Sequence, residues 1–184
     1  LRYNVNPSHS AIGLFLGLDN YPGLRDLFNR RNLWWQDGQG EVEYHEVDMT
    51  REPRMLYICS PSCNGTENKN DAQQKHSVMV FAPGNYEQER KTVERGPSEH
   101  AALKEKIKNN HLYRLQRHSL PDIRKHLDYV RIMTPVDVEQ ATGAEKGGIY
   151  GRRGTPGSFL SRPVSNPGIR NLHFACAATG AAGI

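Results

Sequence analysis

The 184-residue sequence has little of what marks secreted and membrane-spanning proteins. Its three cysteines, Cys59, Cys63 and Cys176, are an odd number without regular spacing, which excludes a small domain held by a disulfide framework. Nothing resembles a signal peptide, and no apolar run approaches the roughly 20 residues that a membrane-spanning helix needs. These absences favour a reducing compartment, and we expect a cytoplasmic or peripherally membrane-bound protein.

The sequence also lacks the patterns of common catalytic and metal-binding sites. Cys59 and Cys63 do not have the Cys-x-x-Cys spacing of zinc sites, and no histidine pair at ligand spacing follows them. The histidines are scattered and show no serine and aspartate partners in a catalytic order. There is no Gly-x-Ser-x-Gly nucleophile elbow. The sequence therefore predicts neither a metal site nor a hydrolase, and it assigns no catalytic residue.

Positive charge is in slight excess: the net charge is +4 and the pI is near 9.0. The basic residues concentrate between Lys104 and Arg131, where a solvated helix face explains them without any partner. No aromatic RNA-binding signature accompanies them, so we expect no nucleic-acid partner. A peripheral contact with an anionic membrane surface is the alternative kept for this stretch.

Four apolar, β-favouring runs are present: "SAIGLFLGLD", "RMLYICSPS", "HSVMVFAPG" and "YVRIMTP". From Ser98, a candidate helix cap, the period changes to that of a helix whose apolar stripe contains Leu103, Ile107, Leu112 and Leu115. Shorter helices are predicted in "PGLRDLF", after Pro121, and in "DVEQATG", which Gly143 closes.

These elements predict an α+β fold in which residues 1–184 form a single unit. We expect a mixed β-sheet built from several strands before Gly84, packed by the main helix after Ser98, and a final strand near Leu172 to Cys176. The glycine-rich loop from Gly147 to Gly157 suits close approach to another group, and we expect it to be exposed in this chain alone.

The order of motifs in the second half of the chain resembles the C-terminal part of the phytoene desaturase and carotenoid isomerase family of FAD-dependent oxidoreductases. The ordered motifs are "LPDIR", Thr134-Pro135, "GGIYG", Arg162-Pro163 and the closing "NLHFACAATG". The runs "RMLYICSPSCN" and "HSVMVFAPG" also look like paired strands of that family. The resemblance extends from about Arg54 onward, and it is the ordered set rather than any one motif that carries it.

The resemblance implies FAD as cofactor, contacted by the segment of about residues 143–184. By position in the closing motif, the implied FAD contacts are Ala178, Thr179, Gly180, Ala181 and Gly183. The sequence departs from the family in having Cys176 for a glycine, and Gly180-Ala181 for a His-Pro pair. It also contains no Gly-x-Gly-x-x-Gly fingerprint, so the N-terminal dinucleotide-binding half is absent from it and the chain alone is expected to be inactive and flavin-free.

The implied activity is desaturation, saturation or isomerisation of a long apolar substrate of carotenoid or retinoid type. The alternative is a non-catalytic module that uses the same sheet to bind a lipid or a protein partner. Apolar strand residues could wall the substrate pocket on one sheet face, and an ordinary core is the competing explanation for each of them. These residues are Phe15, Leu18, Leu56, Ile58, Val78, Val80 and Phe81.

Overall fold

The structure, a computed structural model, describes residues 7–38, 46–64, 75–151, 153 and 168–173. The strands are β1 (Ala11–Asp19), β2 (Leu33–Gln36), β3 (Met55–Cys59), β4 (Lys75–Pro83) and β5 (Leu127–Met133). The helices are α1 (Leu24–Phe28), α2 (Pro61–Asn64), α3 (Tyr86–Arg95), α4 (Pro97–His118) and α5 (Pro135–Thr142), with 3₁₀ turns at Ile123–His126 and Glu145–Gly147. The predicted α+β class is confirmed.

The strands form one sheet in the order β2-β3-β4-β1-β5. Every pairing in this sheet is antiparallel, whereas the sequence pattern predicted a mixed sheet. The buried positions of β1 and β4 largely alternate with more exposed ones, which is the pattern of an antiparallel sheet with one packed face. The sheet therefore has two unlike faces, and the helices cover only one of them.

The covered face, called here the inner face, forms the main core with α1 and α4. Leu14, Leu16 and Leu18 of β1 point into it and pack in one cluster with Leu112 and Leu115 of α4. The predicted apolar stripe of α4 is confirmed, since all four of its residues are buried. At about 25 cal/mol per Å² of apolar surface, this burial is the main stabilising contribution to the fold.

Helix α4 begins one residue earlier than its predicted cap. Pro97 is its first residue and Gly96 its N-cap, so Ser98 lies inside the helix and the prediction that it caps α4 is wrong. Proline suits the first helical position because the N–H that it lacks would have no intrahelical partner there. The short turn at Gly96, with φ at 127°, then separates α4 from α3.

Helix α3 is absent from the sequence prediction because its buried side is polar. Glu89 is fully buried, and its carboxylate accepts hydrogen bonds from the backbone N–H of Val136 at 2.9 Å. The other carboxylate oxygen lies 2.7 Å from Nε2 of His100 in α4. One carboxylate thus joins α3 to α4 and α5. Because the buried residue of α3 is charged, the helix lacks the apolar spacing from which helices are predicted.

The connection from β5 into α5 is fixed by a capping box. Asp137 accepts hydrogen bonds from the backbone N–H and side-chain hydroxyl of Thr134, both at 2.9 Å, and Lys104 of α4 pairs with Asp137 at 2.7 Å. Gly143 ends the helix with φ at 71°, as predicted.

The described part of the glycine-rich loop is held against the start of the chain. Tyr150 donates its backbone N–H to Oγ of Ser8 at 2.8 Å, and Gly147 lies so close to Pro135 that a β-carbon would meet the proline carbonyl at 2.2 Å. Gly147 and Gly148 are buried, which contradicts the expectation of an exposed loop at those two positions. At the predicted final strand, Leu172 is not in a strand, and residues 174–176 lie outside the described residues.

Candidate functional site

The sheet face opposite the helices, called here the outer face, is lined mainly by apolar side chains. Register places one row straight across all five strands: Trp34, Tyr57, Phe81, Gly13 and Met133. A second row contains Cys59, Met79, Phe15 and Arg131. At the β5 edge, Arg131 and Met133 line a small cavity together with Lys104 of α4 and Asp137 of α5. Towards β2, the aromatic side chains of these rows present an apolar surface to a ligand.

The aromatic rings of the outer face form a continuous ladder. Ring centroids lie 4.9 Å apart for Trp34 and Tyr57, and 6.3 Å apart for Tyr57 and Phe81. Phe81 then meets Phe15 edge-on, with centroids 6.1 Å apart. Such contacts hold each ring in place while leaving part of its surface open, and Trp34 is 69% exposed.

Two glycines of β1, the strand next to β5, leave the outer face without side chains at their positions. A β-carbon on Gly13 would lie 3.1 Å from the ring of Phe15, and one on Gly17 would lie 3.1 Å from Cβ of Tyr129. Both positions point outward by register, so each glycine leaves room for the ring beside it. The outer face therefore forms a shallow apolar channel at these positions, because no side chain projects from either glycine.

The channel deepens at one end into a cavity of about 450 Å³. Ile149 and Tyr150 of the glycine-rich segment form one wall, opposite Trp34, Tyr57 and Phe81. The hydrogen bond between Ser8 and the Tyr150 backbone fixes that wall. The glycine-rich segment therefore approaches the outer face, and its side chains remain partly exposed there, Tyr150 by 48%.

The ionisable groups near the cavity are held in their neutral forms. Burial, followed by the nearby Cys59 and Tyr150, raises the pKa of Tyr57, and only a hydrogen bond from Asn32 opposes this. Burial likewise raises the pKa of the Cys59 thiol. At neutral pH these groups present no charge, so they favour an apolar ligand.

The N-terminus of α5 does not offer a free phosphate-binding position at Thr134 and Val136. Helix α5 follows the Thr-Pro motif, but Asp137 and Glu89 already accept from the backbone N–H groups of Thr134 and Val136. Two carboxylates thus occupy this helix end, which leaves these two N–H groups unavailable to a phosphate group. The implied FAD contacts Ala178, Thr179, Gly180, Ala181 and Gly183 lie outside the described residues, so they remain predictions.

The predicted pocket residues do not share one sheet face. Phe15 and Phe81 lie on the outer face, whereas the other predicted residues belong to the core. The five core residues are Leu18, Leu56, Ile58, Val78 and Val80. Residues in alternate positions of a strand point to opposite faces, so a list drawn from every apolar position necessarily mixes the two.

Sequence reasoning missed Trp34, Tyr57, Met79, Ile149 and Tyr150 as members of the outer face. The available signal was the pairing of outward aromatic residues with outward glycines, since Phe15 lies between Gly13 and Gly17 at a spacing of two. The other residues come together on the outer face through the register between strands, which cannot be derived from one sequence.

His76, His111 and Cys63 are buried away from the outer-face channel, whereas Cys59 lies in its second row. Nε2 of His111 and Nδ1 of His76 are buried without a hydrogen-bond partner among the described residues, while Nδ1 of His111 lies 2.8 Å from the carbonyl of Ile107. Cys59 and Cys63 are free thiols. A search of the described ranges finds no group of three or more histidine, cysteine or carboxylate side chains placed to hold a metal ion.

Half of the eight lysines and arginines in the basic stretch form ion pairs. Four of its basic residues contact carboxylates: Lys104 with Asp137, Lys108 with Glu105, Arg114 with Glu52, and Lys125 with Asp122. This lowers the net charge that α4 can offer to an anionic surface. Among the described residues, no helix is long and apolar enough to span a bilayer. The peripheral membrane contact stays a prediction.

Comparison with known proteins gives one informative similarity. No protein-family model matches the chain. The chain is 26% identical over 147 residues to 4,4'-diaponeurosporene oxygenase of Staphylococcus haemolyticus. The match covers 79% of this chain and 27% of that protein, so the chain spans little more than a quarter of its relative's length. The chain is therefore similar, over most of its own length, to part of a carotenoid-related oxidoreductase.

Proposed function

We propose that this chain forms the substrate-binding part of an oxidoreductase that acts on a long apolar polyene of carotenoid or retinoid type. The observation that carries the proposal is the aromatic channel of the outer face. The similarity to an oxygenase of 4,4'-diaponeurosporene supports the substrate class. Desaturation, saturation or isomerisation is the proposed reaction type.

The channel has the size and chemistry that such a substrate requires. Four inter-strand steps separate β5 from β2, and at about 4.8 Å each they span roughly 19 Å. A flat, rigid polyene can lie across this distance on the ring ladder without losing much conformational freedom on binding. The channel supplies apolar contact along one side of the ligand, and placement of the substrate is what a protein generally contributes to cofactor-dependent redox chemistry.

FAD is the proposed redox cofactor, and when bound it would supply hydride or electron transfer. In this proposal its anchoring comes from a dinucleotide-binding half that the 184 residues do not contain, with residues 178–183 making only backbone contacts. The residues described here orient the substrate, and none of them is assigned to the chemical step.

The 184-residue chain is expected to bind no flavin in stoichiometric amount. The physical reason is that it lacks the glycine-rich strand-turn-helix that holds a pyrophosphate. The measurement is the flavin absorbance of the purified chain after incubation with excess FAD and gel filtration. One flavin retained per chain would contradict the proposed division of the cofactor site.

Phe81→Ser is expected to weaken polyene binding about tenfold. Phe81 lies at the centre of the ladder, and losing contact with about 55 Å² of apolar ring surface costs about 1.4 kcal/mol, which is tenfold in affinity. The measurement is quenching of tryptophan emission by all-trans-retinol, which absorbs in that range. Trp34, on the outer face, is one of only two tryptophans in the chain.

Tyr113→Ser provides the matched control for Phe81→Ser. Tyr113 is an exposed aromatic residue on α4, away from the outer face, so its loss should leave the affinity unchanged. Circular dichroism and thermal unfolding of both variants check that the fold survives. Equal affinity in wild type and Phe81→Ser, or equal losses in both variants, would contradict binding on the outer face.

A further inference from the structure

The outer face carries a single cation that no acidic side chain neutralises within the described residues. Arg131 lies on β5, directly opposite Phe15, and Tyr129 and Met133 flank it on the same face. Its side chain is exposed, and it forms no hydrogen bond or ion pair with another part of the chain that the structure describes. An arginine without a partner beside an aromatic channel is not needed for the packing of the sheet.

Lys75, a second basic residue of the outer face, differs from Arg131 because its charge is paired. Lys75 pairs by register with Asp19, and its Nζ lies 3.4 Å from the carboxylate of Asp128. The positive charge of Lys75 is therefore neutralised at that corner of the sheet. Arg131 has only apolar or glycine neighbours across from it on β1, namely Gly13, Phe15 and Gly17. No carboxylate lies on these three residues, and Asp137, which lines a small cavity with Arg131, is already paired with Lys104 at 2.7 Å.

We propose that Arg131 binds the carboxylate end group of a long apolar ligand whose chain lies across the outer face towards Trp34. This inference rests on the proposed function, and it narrows the substrate class to polyenes that end in an acid. The guanidinium fork can donate two parallel hydrogen bonds to a carboxylate. The row from Met133 through Phe81 to Trp34 then contacts the apolar chain.

Position on the sheet favours this orientation of the ligand. Strand β5 is an edge strand, so a charged end group at Arg131 stays close to solvent. The opposite end of the channel is the apolar cavity between Trp34 and Tyr150, which suits the uncharged end of the chain. The carboxylate end of the ligand would thus stay in contact with water, while the hydrocarbon chain would lie against apolar side chains.

The test compares all-trans-retinoic acid with its methyl ester, which has the same hydrocarbon chain without the charge. Wild-type protein should bind the acid about five- to tenfold more tightly than the ester at neutral pH and low salt. Arg131→Gln should remove this preference while leaving the affinity for the ester unchanged. Arg131→Lys should retain part of the preference, because the charge remains and the fork is lost.

Arg117→Gln is the matched control, since it removes one exposed positive charge from α4 and not from the outer face. Equal affinity of wild type for acid and ester would overturn the role of Arg131 while leaving polyene binding intact. So would an Arg131→Gln variant that loses affinity for both ligands equally, or an Arg117→Gln variant that also loses the preference. Failure of both ligands to bind wild type would instead overturn the proposed function, and the inference with it.

Discussion

Between pH 6.5 and about pH 4, the free energy of unfolding is expected to fall by about 3 kcal/mol because of His111 alone. His111 is 3% exposed on α4, and burial lowers its pKa to about 4. Nδ1 lies 2.8 Å from the carbonyl of Ile107, to which it donates, while Nε2 is buried without a partner. Protonation would therefore place a charge at Nε2 where nothing accepts its hydrogen.

The direction of the pH effect follows from proton uptake. In the unfolded chain an ordinary histidine takes up a proton as the pH falls below about 6.5, whereas folded His111 resists protonation until about pH 4. Stability is therefore complete above the unfolded pKa and is lost as the pH falls through this window. Urea unfolding at a series of pH values measures the loss.

His111→Leu is expected to flatten this pH profile, because leucine does not titrate and suits the apolar surroundings of α4. The control is His173→Gln, which removes an exposed histidine and should leave the slope unchanged. A slope in His111→Leu as steep as that of wild type would show that other groups cause the acid sensitivity.

Glu89→Ala is expected to lower the free energy of unfolding by about 3 kcal/mol and the melting temperature by about 6–12 °C. The fully buried carboxylate of Glu89 bonds the N–H of Val136 and the ring of His100. Alanine leaves that N–H without an acceptor, leaves His100 without its partner, and opens a cavity between three helices. Thermal unfolding followed by circular dichroism measures the change.

Glu87→Ala is the control for this variant, on the same helix and with the same change of charge. Glu87 is exposed and pairs with the exposed Lys146, so its loss should cost less than about 1 kcal/mol. Similar melting temperatures for the two variants would show that the buried carboxylate does not join the helices as described.

The elements with a clear apolar period were predictable from the sequence. Strands β1, β3, β4 and β5 and the buried stripe of α4 follow from runs and spacings that local sequence displays. Helix α3 was not predictable in this way, because its buried contact is Glu89, and the interactions that make burial of a carboxylate tolerable come from residues 11 and 47 positions away. Partners this far away in the sequence leave no recognisable pattern in the residues around Glu89.

The candidate site was only partly predictable for a related reason. Phe15 and Phe81 were chosen as apolar strand residues, but their separation from the core residues depends on which face each position takes. Trp34 joins them only through the register of β2 with β3 and of β3 with β4. Long-range register is set by the folded sheet, so the aromatic ladder appears only in three dimensions.

The most direct test of the outer face as a polyene site uses the methyl groups of the four methionines. Met55, Met79 and Met133 lie on the outer face, whereas Met49 is buried in the core beneath the inner face. Methyl-¹³C methionine spectra recorded during titration with all-trans-retinol should show shifts for the three outer methyl groups, while the Met49 signal stays in place. A titration that moves Met49, or leaves all four signals unchanged at saturating polyene, would contradict binding on this face.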